Sequence, residues 1–295
     1  MIRSFLWCIA LLLVISCSTP PRDSGMIMIT KKNGIEQLFS LSANGGPVLI
    51  SPETGKTSNP VLSPDRSKIA FSHEGIGSMD IYLYDIATGE TKKLTESNGI
   101  AAFPAWSREG NKIAYMMTDG RDRNIYISNI DGSETEQISA GRSLDNEPVW
   151  GHYNPSIIYF KALSGQSESV NKYDIVIGEL SQITSGGSNE MLVQVPKNDQ
   201  ISFVQRVPNR NALWVYDEIS EQTHSILETP AHIDAYAWAP DGKTLAITIN
   251  SNLEIYKYDR KNGLMFAFTI DHAAYPAWSK SGEEVYYNKR VESGT

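Results

Sequence analysis

One phrase recurs along this chain at a nearly fixed interval, and no other feature limits the fold as much. Leu62, Trp106, Trp150, Gln194 and Trp238 are spaced by 44 residues, and Trp278 follows after 40. Each closes a short apolar run and precedes a turn and a second apolar run. The phrases read NPVLSPDRSKIAF, FPAWSREGNKIAY, EPVWGHYNPSIIY, MLVQVPKNDQISF, AYAWAPDGKTLAI and YPAWSKSGEEVYY. A second phrase of 12 residues lies between them, starting at Ser40, Tyr84, Ser128, Tyr173, Tyr216 and Tyr258. Periods of about 40–45 residues are those of propeller blades, in which one sheet cannot bury both of its faces alone.

The local chemistry is that of strands. Runs such as Asp80-Ile81-Tyr82-Leu83-Tyr84 and Asn124-Ile125-Tyr126-Ile127 are short and rich in β-branched and aromatic residues. Turn dipeptides bound them: Asn44-Gly45, Thr88-Gly89, Asp131-Gly132, Asp241-Gly242 and Asn262-Gly263. Each repeat therefore yields four strands, A to D, with A ending at the Trp position, B on the KIAF or KIAY run, and C and D forming the 12-residue hairpin. Six A phrases and six C–D hairpins give the expected fold: all-β, a six-bladed propeller of four-stranded antiparallel blades. Residues 26–57 hold C and D without A, and residues 274–290 hold A and B without C or D. The N- and C-terminal strands are thus expected to join in one blade and close the ring. Met26–Thr30 and Glu284–Asn288 both resemble B strands, so one must be displaced or add a fifth strand.

The first residues carry a different signal. Arg3 precedes an apolar run of 11 residues, Phe5 to Ile15, which is too short for a membrane span of roughly 20 residues and fits an export signal. The run ends in Val14-Ile15-Ser16-Cys17, which resembles the bacterial lipobox. That resemblance implies cleavage after residue 16, acylation of the Cys17 thiol and of the new amino end, and stable attachment by several acyl chains. Ser18 after the cysteine implies transfer to the outer membrane. Cysteine usage agrees: Cys8 lies in the signal, so Cys17 is the one thiol left and no disulfide framework exists. The chain divides into a lipoprotein signal peptide over 1–16, a lipidated cysteine and Pro-containing tether over 17–25, and the propeller over 26–295.

The repeat P-x-W-S-x-D/E-G-x-x-I-A-Y/F, then D/N-I-Y and D-x-x-x-G-x-x-x-x-L-T, resembles the TolB-like propeller family across about residues 26–290. Leu62–Asp65, Trp106–Gly110, Trp238–Gly242 and Trp278–Gly282 match best. Two repeats depart: His152 and Tyr153 replace the Ser-Pro region, and Gln194 stands where Trp is expected. The resemblance is confined to the propeller, so the chain is expected to be a member other than the protein that gives the family its name.

The Trp series has a packing explanation, since large apolar side chains at equivalent positions fill the contact between blades. The residues just before it differ from blade to blade and are expected at one mouth of a central channel. Asn59, Phe103, Asp145, Glu147, Glu190, Asp234 and Tyr275 are the candidate binding residues, four of them acidic. Such a rim suits a cation, an amine or a basic peptide segment, and leaves room for a channel-bound divalent cation, although no cofactor is expected. The five histidines show no metal-ligand spacing; His73 and His224 read as surface groups, while His232 with Asp234 and His152 with Glu147 can approach at strand ends. No G-x-S-x-G occurs, Gly75-Ile76-Gly77 opens no helix, and Asp119–Asn124 reads as a solvated hairpin tip. Net charge is -8 with no Lys/Arg block, which argues against nucleic acid.

The expectation is a non-catalytic binding or scaffold module of the bacterial envelope. It would be a monomeric ring, lipid-anchored on the periplasmic face of the outer membrane, with a protein or a peptidoglycan-associated component as partner. The alternatives are a metal-assisted carbohydrate- or peptide-directed enzyme, such as a lyase, at the acidic mouth, and a small-ligand receptor.

Overall fold

A computed structural model describes residues 26–32, 34–41, 47–141, 143–184 and 188–289. Every regular element among them is a strand. In chain order they are Met26–Lys32, Ile35–Leu41 and Pro47–Leu49 (β1–β3); Thr57–Leu62, Lys68–Glu74, Met79–Asp85 and Thr91–Lys93 (β4–β7); Ala101–Trp106, Lys112–Asp119, Asp122–Asn129 and Glu136–Gln137 (β8–β11); Leu144–Trp150, Ile157–Ser164, Ser167–Asp174 and Glu179–Gln182 (β12–β15). Then follow Ser188–Gln194, Gln200–Val207, Arg210–Asp217 and Gln222–Thr229 (β16–β19); Ile233–Trp238, Thr244–Ile249, Asn252–Asp259 and Gly263–Ile270 (β20–β23); Ala273–Trp278 and Val285–Lys289 (β24, β25). The signal segment, Cys17 and the tether lie outside the described residues, as does the Asn44-Gly45 turn. No described helix is long and apolar enough to cross a membrane.

The four-strand unit read from the repeat is present with the expected order. Strands β4–β7, β16–β19 and β20–β23 each form a separate antiparallel four-stranded sheet. Strands β8–β15 depart from that pattern: two such sets merge into one eight-stranded sheet through a single parallel pairing, Arg123 with Leu144. Strands β1–β3 make a three-stranded sheet and β24–β25 a two-stranded one. Both B-like runs keep partners in their own sheets: β1 pairs with β2 over seven residues, and β25 pairs with β24. The described sheets alone thus do not amount to six four-stranded blades.

The described residues divide into two compact units at the Pro230–Ala231 boundary. In the larger, the inner strands β4, β8, β12 and β16 lie side by side, each against the next. Second strands are buried on both faces, which explains their near-continuous apolar sequence: β13, for example, buries six successive residues from Ile157. The outermost strand β7, Thr91-Lys92-Lys93, is polar and exposed, whereas β23 exposes Met265, Phe266 and Phe268. Cores form between successive blades: Ala70, Ile81 and Leu83 of one pack with Ile113, Tyr115 and Tyr126 of the next. In the smaller unit, Ala246, Leu253 and Ile255 pack with Ala273 and Tyr287.

The Trp positions also fasten one blade to the next by a hydrogen bond. Trp106 Nε1 donates to the Val61 carbonyl at 3.1 Å, and Trp150 Nε1 to the Ala105 carbonyl at 3.0 Å. Within the smaller unit Trp278 Nε1 donates to Ala237 at 3.0 Å. Each acceptor is the residue just before the preceding blade's own anchor position. A buried indole needs a partner for its one N–H, and an inner strand facing its neighbour offers a free carbonyl.

The turn after the first anchor is built by its Ser and acid. Ser63 Oγ donates to Asp65 Oδ1 at 2.6 Å and accepts the Lys68 N–H at 2.9 Å. These bonds, with those of Ser67, hold the Asp65 carboxyl down at about 2. In the second blade Gly110 takes φ 72°, which a side chain would resist, as the Ser107 carbonyl accepts its N–H.

Candidate functional site

Every inner strand with its partner carries a β-bulge close to the variable residues. The register slips between Ser58 and Val61, Ala102 and Ala105, Asn146 and Val149, and Glu190 and Val193 in the larger unit. It slips between Ile233 and Ala235, and between Ala274 and Ala277, in the smaller one. At five of these bulges the residue three before the anchor has a left-handed backbone: Asn59 at φ 51°, Phe103 at 57°, Glu147 at 50°, Met191 at 52° and Tyr275 at 54°. Asparagine tolerates this; phenylalanine, glutamate, methionine and tyrosine do so at a cost of order 1 kcal/mol each. Pro60, Pro104, Pro148 and Pro276 follow four of them. Proline lacks an N–H and is admitted to sheets at bulges and edges, so the sequence supports the break. Bulges re-aim side chains, and backbone strain that persists in repeated form gathers at sites where side-chain direction matters.

Three of these residues share one cavity. Asn59, Phe103 and Glu147 line a space of about 490 Å3 between the inner strands of the larger unit, with Pro60, Pro104, Pro148, Trp106, Trp150 and Leu192. Ser72 ties two of them together: its hydroxyl donates to Asn59 Oδ1 at 3.4 Å and accepts the Phe103 N–H at 3.3 Å. Glu147 is held by Lys161 on β13, whose Nζ lies 2.8 Å from Oε1 and 3.9 Å from Glu168. Ser188 Oγ donates to Glu168 at 3.0 Å. The Lys161 side chain is only 8% exposed, so this pair acts in a low-dielectric setting and its geometry is fixed.

The other candidates sit differently. Asp145, only 2% exposed, is turned into the sheet on β12 and is not among the cavity's walls. Burial pushes its carboxyl pKa up, against hydrogen bonds from Ser139 and Ser143. Glu190 lies on β16 opposite Val204, and its side chain is outside the description. Asp234 and Tyr275 belong to the smaller unit. Asp234 Oδ1 is 2.8 Å from His232 Nδ1, and Oδ2 accepts the Ser251 N–H at 3.1 Å. Tyr275 is 63% exposed. Glu147 is therefore a paired carboxylate and Asp145 a buried one, which leaves the rim of the larger unit less acidic than its sequence suggests.

One histidine is corrected. His73 was expected at the surface, but β5 runs on to Glu74 and buries it to 2% exposure. Its Nδ1 is 2.8 Å from Thr57 Oγ1, and its ring stands edge-on to Tyr82. Burial lowers its pKa. His224 is exposed, as expected. Sequence reasoning missed Lys161 and Ser72. The signal for Lys161 was a single charge inside the apolar run Ile157–Leu163. Among the described residues no three His, Cys, Asp or Glu side chains are gathered as metal ligands.

Comparison with known proteins places these observations. Residues 43–229 match the family described as TolB beta propeller domain. Among solved structures, TolB from Acinetobacter baumannii is similar with a TM-score of 0.61 at 18% identity, over 80% of this chain and 60% of that one. An oligogalacturonate lyase in complex with manganese is similar with a TM-score of 0.67 at 13% identity, over 90% of this chain and 78% of that one. An uncharacterized protein of Saccharomyces cerevisiae, YIL152W, is 34% identical over 56 residues, 19% of this chain and 24% of its own length. The chain thus spans 60% of the TolB chain, less than two thirds, and about a quarter of the yeast protein. At such identities the structural likeness establishes the fold, and that fold carries a lyase as well as TolB.

Proposed function

This chain belongs to the TolB beta propeller domain family, and on that premise we propose that it is a non-catalytic binding module of the bacterial envelope. In this reading the chain is exported by residues 1–16, acylated at Cys17 and held at the periplasmic face of the outer membrane. The propeller has six blades, the last completed by strands from both ends. It binds a segment of a partner protein at the inner-strand cavity.

The carrying observation is the set of left-handed residues at repeated bulges. The repeat keeps the strained backbone and varies the side chain, which is how a scaffold presents a specific surface. Proline and tryptophan walls with an internally neutralised Glu147 suit an extended peptide with an apolar side chain. A polyanionic sugar would need free cationic groups, and the Lys161 ammonium is engaged with Glu147.

Affinity capture of the lipidated protein from its own envelope tests this. A defined protein partner should be retained by the native chain and lost with Phe103→Ala and Asn59→Ala. Retention by both variants contradicts the site. A stoichiometric divalent ion that is lost with Glu147→Gln would favour a metal-assisted enzyme instead. The anchor has its own test: Cys17→Ala should abolish labelling by radioactive fatty acid and release the protein from membranes, and persistent labelling contradicts acylation.

A further inference from the structure

A second cavity, of about 450 Å3, opens in the larger unit and shares no wall with the first. It lies where the repeat departs from its pattern. Gly151-His152-Tyr153 replaces the Ser63-Pro64-Asp65 and Ser107-Arg108-Glu109 of earlier blades. Asn154 takes over the turn by accepting the Ser156 N–H at 3.0 Å. Tyr153, freed from turn duty, is 58% exposed and stands on the cavity wall. Ile177 occupies the place of Thr88 in the earlier hairpin and is 66% exposed on the same wall.

The charges are one-sided. Asp174, Glu179, Glu218 and Glu221 line the cavity against one cation, Lys172. Lys172 Nζ is taken up by Glu221 Oε1 at 2.6 Å. Glu221 stands where other hairpins have Gly89, Gly178 and Gly263, and holds φ 56° to do so. Glu218 accepts the backbone N–H groups of His152 at 3.2 Å and Asn154 at 3.5 Å. Among the described residues no Lys, Arg or His nitrogen lies within 4.0 Å of the carboxylates of Asp174, Glu179 or Glu218.

An independent feature points to a ligand. Tyr159 is 1% exposed, lines this cavity, and rests edge-on against Tyr216 at 5.9 Å. Its hydroxyl makes no hydrogen bond among the described residues. The hydroxyl borders the cavity without a protein partner, so a ligand that bonds it there is favoured. Burial keeps this phenol protonated by pushing its pKa up.

The geometry points to a binding site for a primary amine on an apolar stem. The ammonium group meets the carboxylates of Glu218 and Glu179 and donates to the Tyr159 hydroxyl, while the stem lies along Tyr153 and Ile177. The same chemistry is carried by a free diamine and by a lysine side chain of another protein.

Titration calorimetry on the full chain separates these sources and tests the site. The probes are 1,5-diaminopentane, Nα-acetyl-lysine methylamide and the neutral 1-pentanol. Saturable one-to-one binding of an amine, with none for 1-pentanol, is expected. Stronger binding of the diamine marks a free amine as ligand; stronger binding of the lysine derivative marks a side chain. Tyr159→Phe or Glu179→Gln should weaken binding about tenfold. No saturable binding of either amine, or undiminished affinity in both variants, overturns the assignment.

Discussion

Lys161 Nζ lies 2.8 Å from Glu147 Oε1, so the second strand of this blade holds the bulge of its first strand through a buried charge. Removing one member of such a pair leaves the other uncompensated. Lys161→Met should therefore destabilise the larger unit by about 3 kcal/mol, seen as a lower urea midpoint. Adding Glu147→Gln to that variant should restore part of the loss, because the stranded carboxylate is gone. An additive double variant would show that the two side chains do not interact.

Trp150 Nε1 donates to the Ala105 carbonyl, and the indole itself is buried against the neighbouring blade. The two contributions separate by substitution. Trp150→Phe should cost about 1–2 kcal/mol for the lost bond and reduced packing, and Trp150→Ala about 3–5 kcal/mol. Chemical denaturation of both variants checks the ratio.

His73 gives a pH dependence with a defined sign. Burial lowers its pKa below the ordinary 6.5. Above 6.5 both folded and unfolded states hold a neutral ring, and its contribution to stability is flat. Below 6.5 the unfolded chain binds a proton that the folded chain refuses, so stability falls as pH falls. His73→Asn should flatten this part of the stability profile between pH 6.5 and the lower folded value, measured by urea unfolding at stepped pH.

The six-blade reading makes its own prediction. A chain stopped at residue 273 loses β24 and β25 almost entirely. If these complete the blade begun by β1–β3, melting should fall on the order of 10 °C, well beyond the loss of one hairpin's local contacts. Unchanged melting would contradict closure by strands from both ends.

Much of this architecture is legible in the chain. The Trp spacing marks the inner strands, and Ser63 with Asp65 or Ser107 with Gly110 mark the turns, because these depend on local bonds between near neighbours. The left-handed backbone at Phe103, Glu147 and Tyr275 was hidden. Nothing in those residue types favours it, and only the following proline hints at a break. His73 was misplaced because the strand outlasts its apolar run by a serine, a histidine and a glutamate. Glu147 looked like part of an acidic rim because its partner, Lys161, is 14 residues away in sequence and buried among apolar side chains. The merging of two blades by the Arg123–Leu144 pairing has no signature in either residue.

In the proposed binding mode Phe103 and its neighbours face a protein partner. A photo-crosslinking amino acid placed at position 103 of the lipidated chain, irradiated in its own envelope, tests it most directly. A discrete protein adduct is expected, absent when the crosslinker is moved to the exposed outer position Lys92 and weakened by Asn59→Ala. Adducts of equal yield at positions 103 and 92, or none at 103, would contradict it.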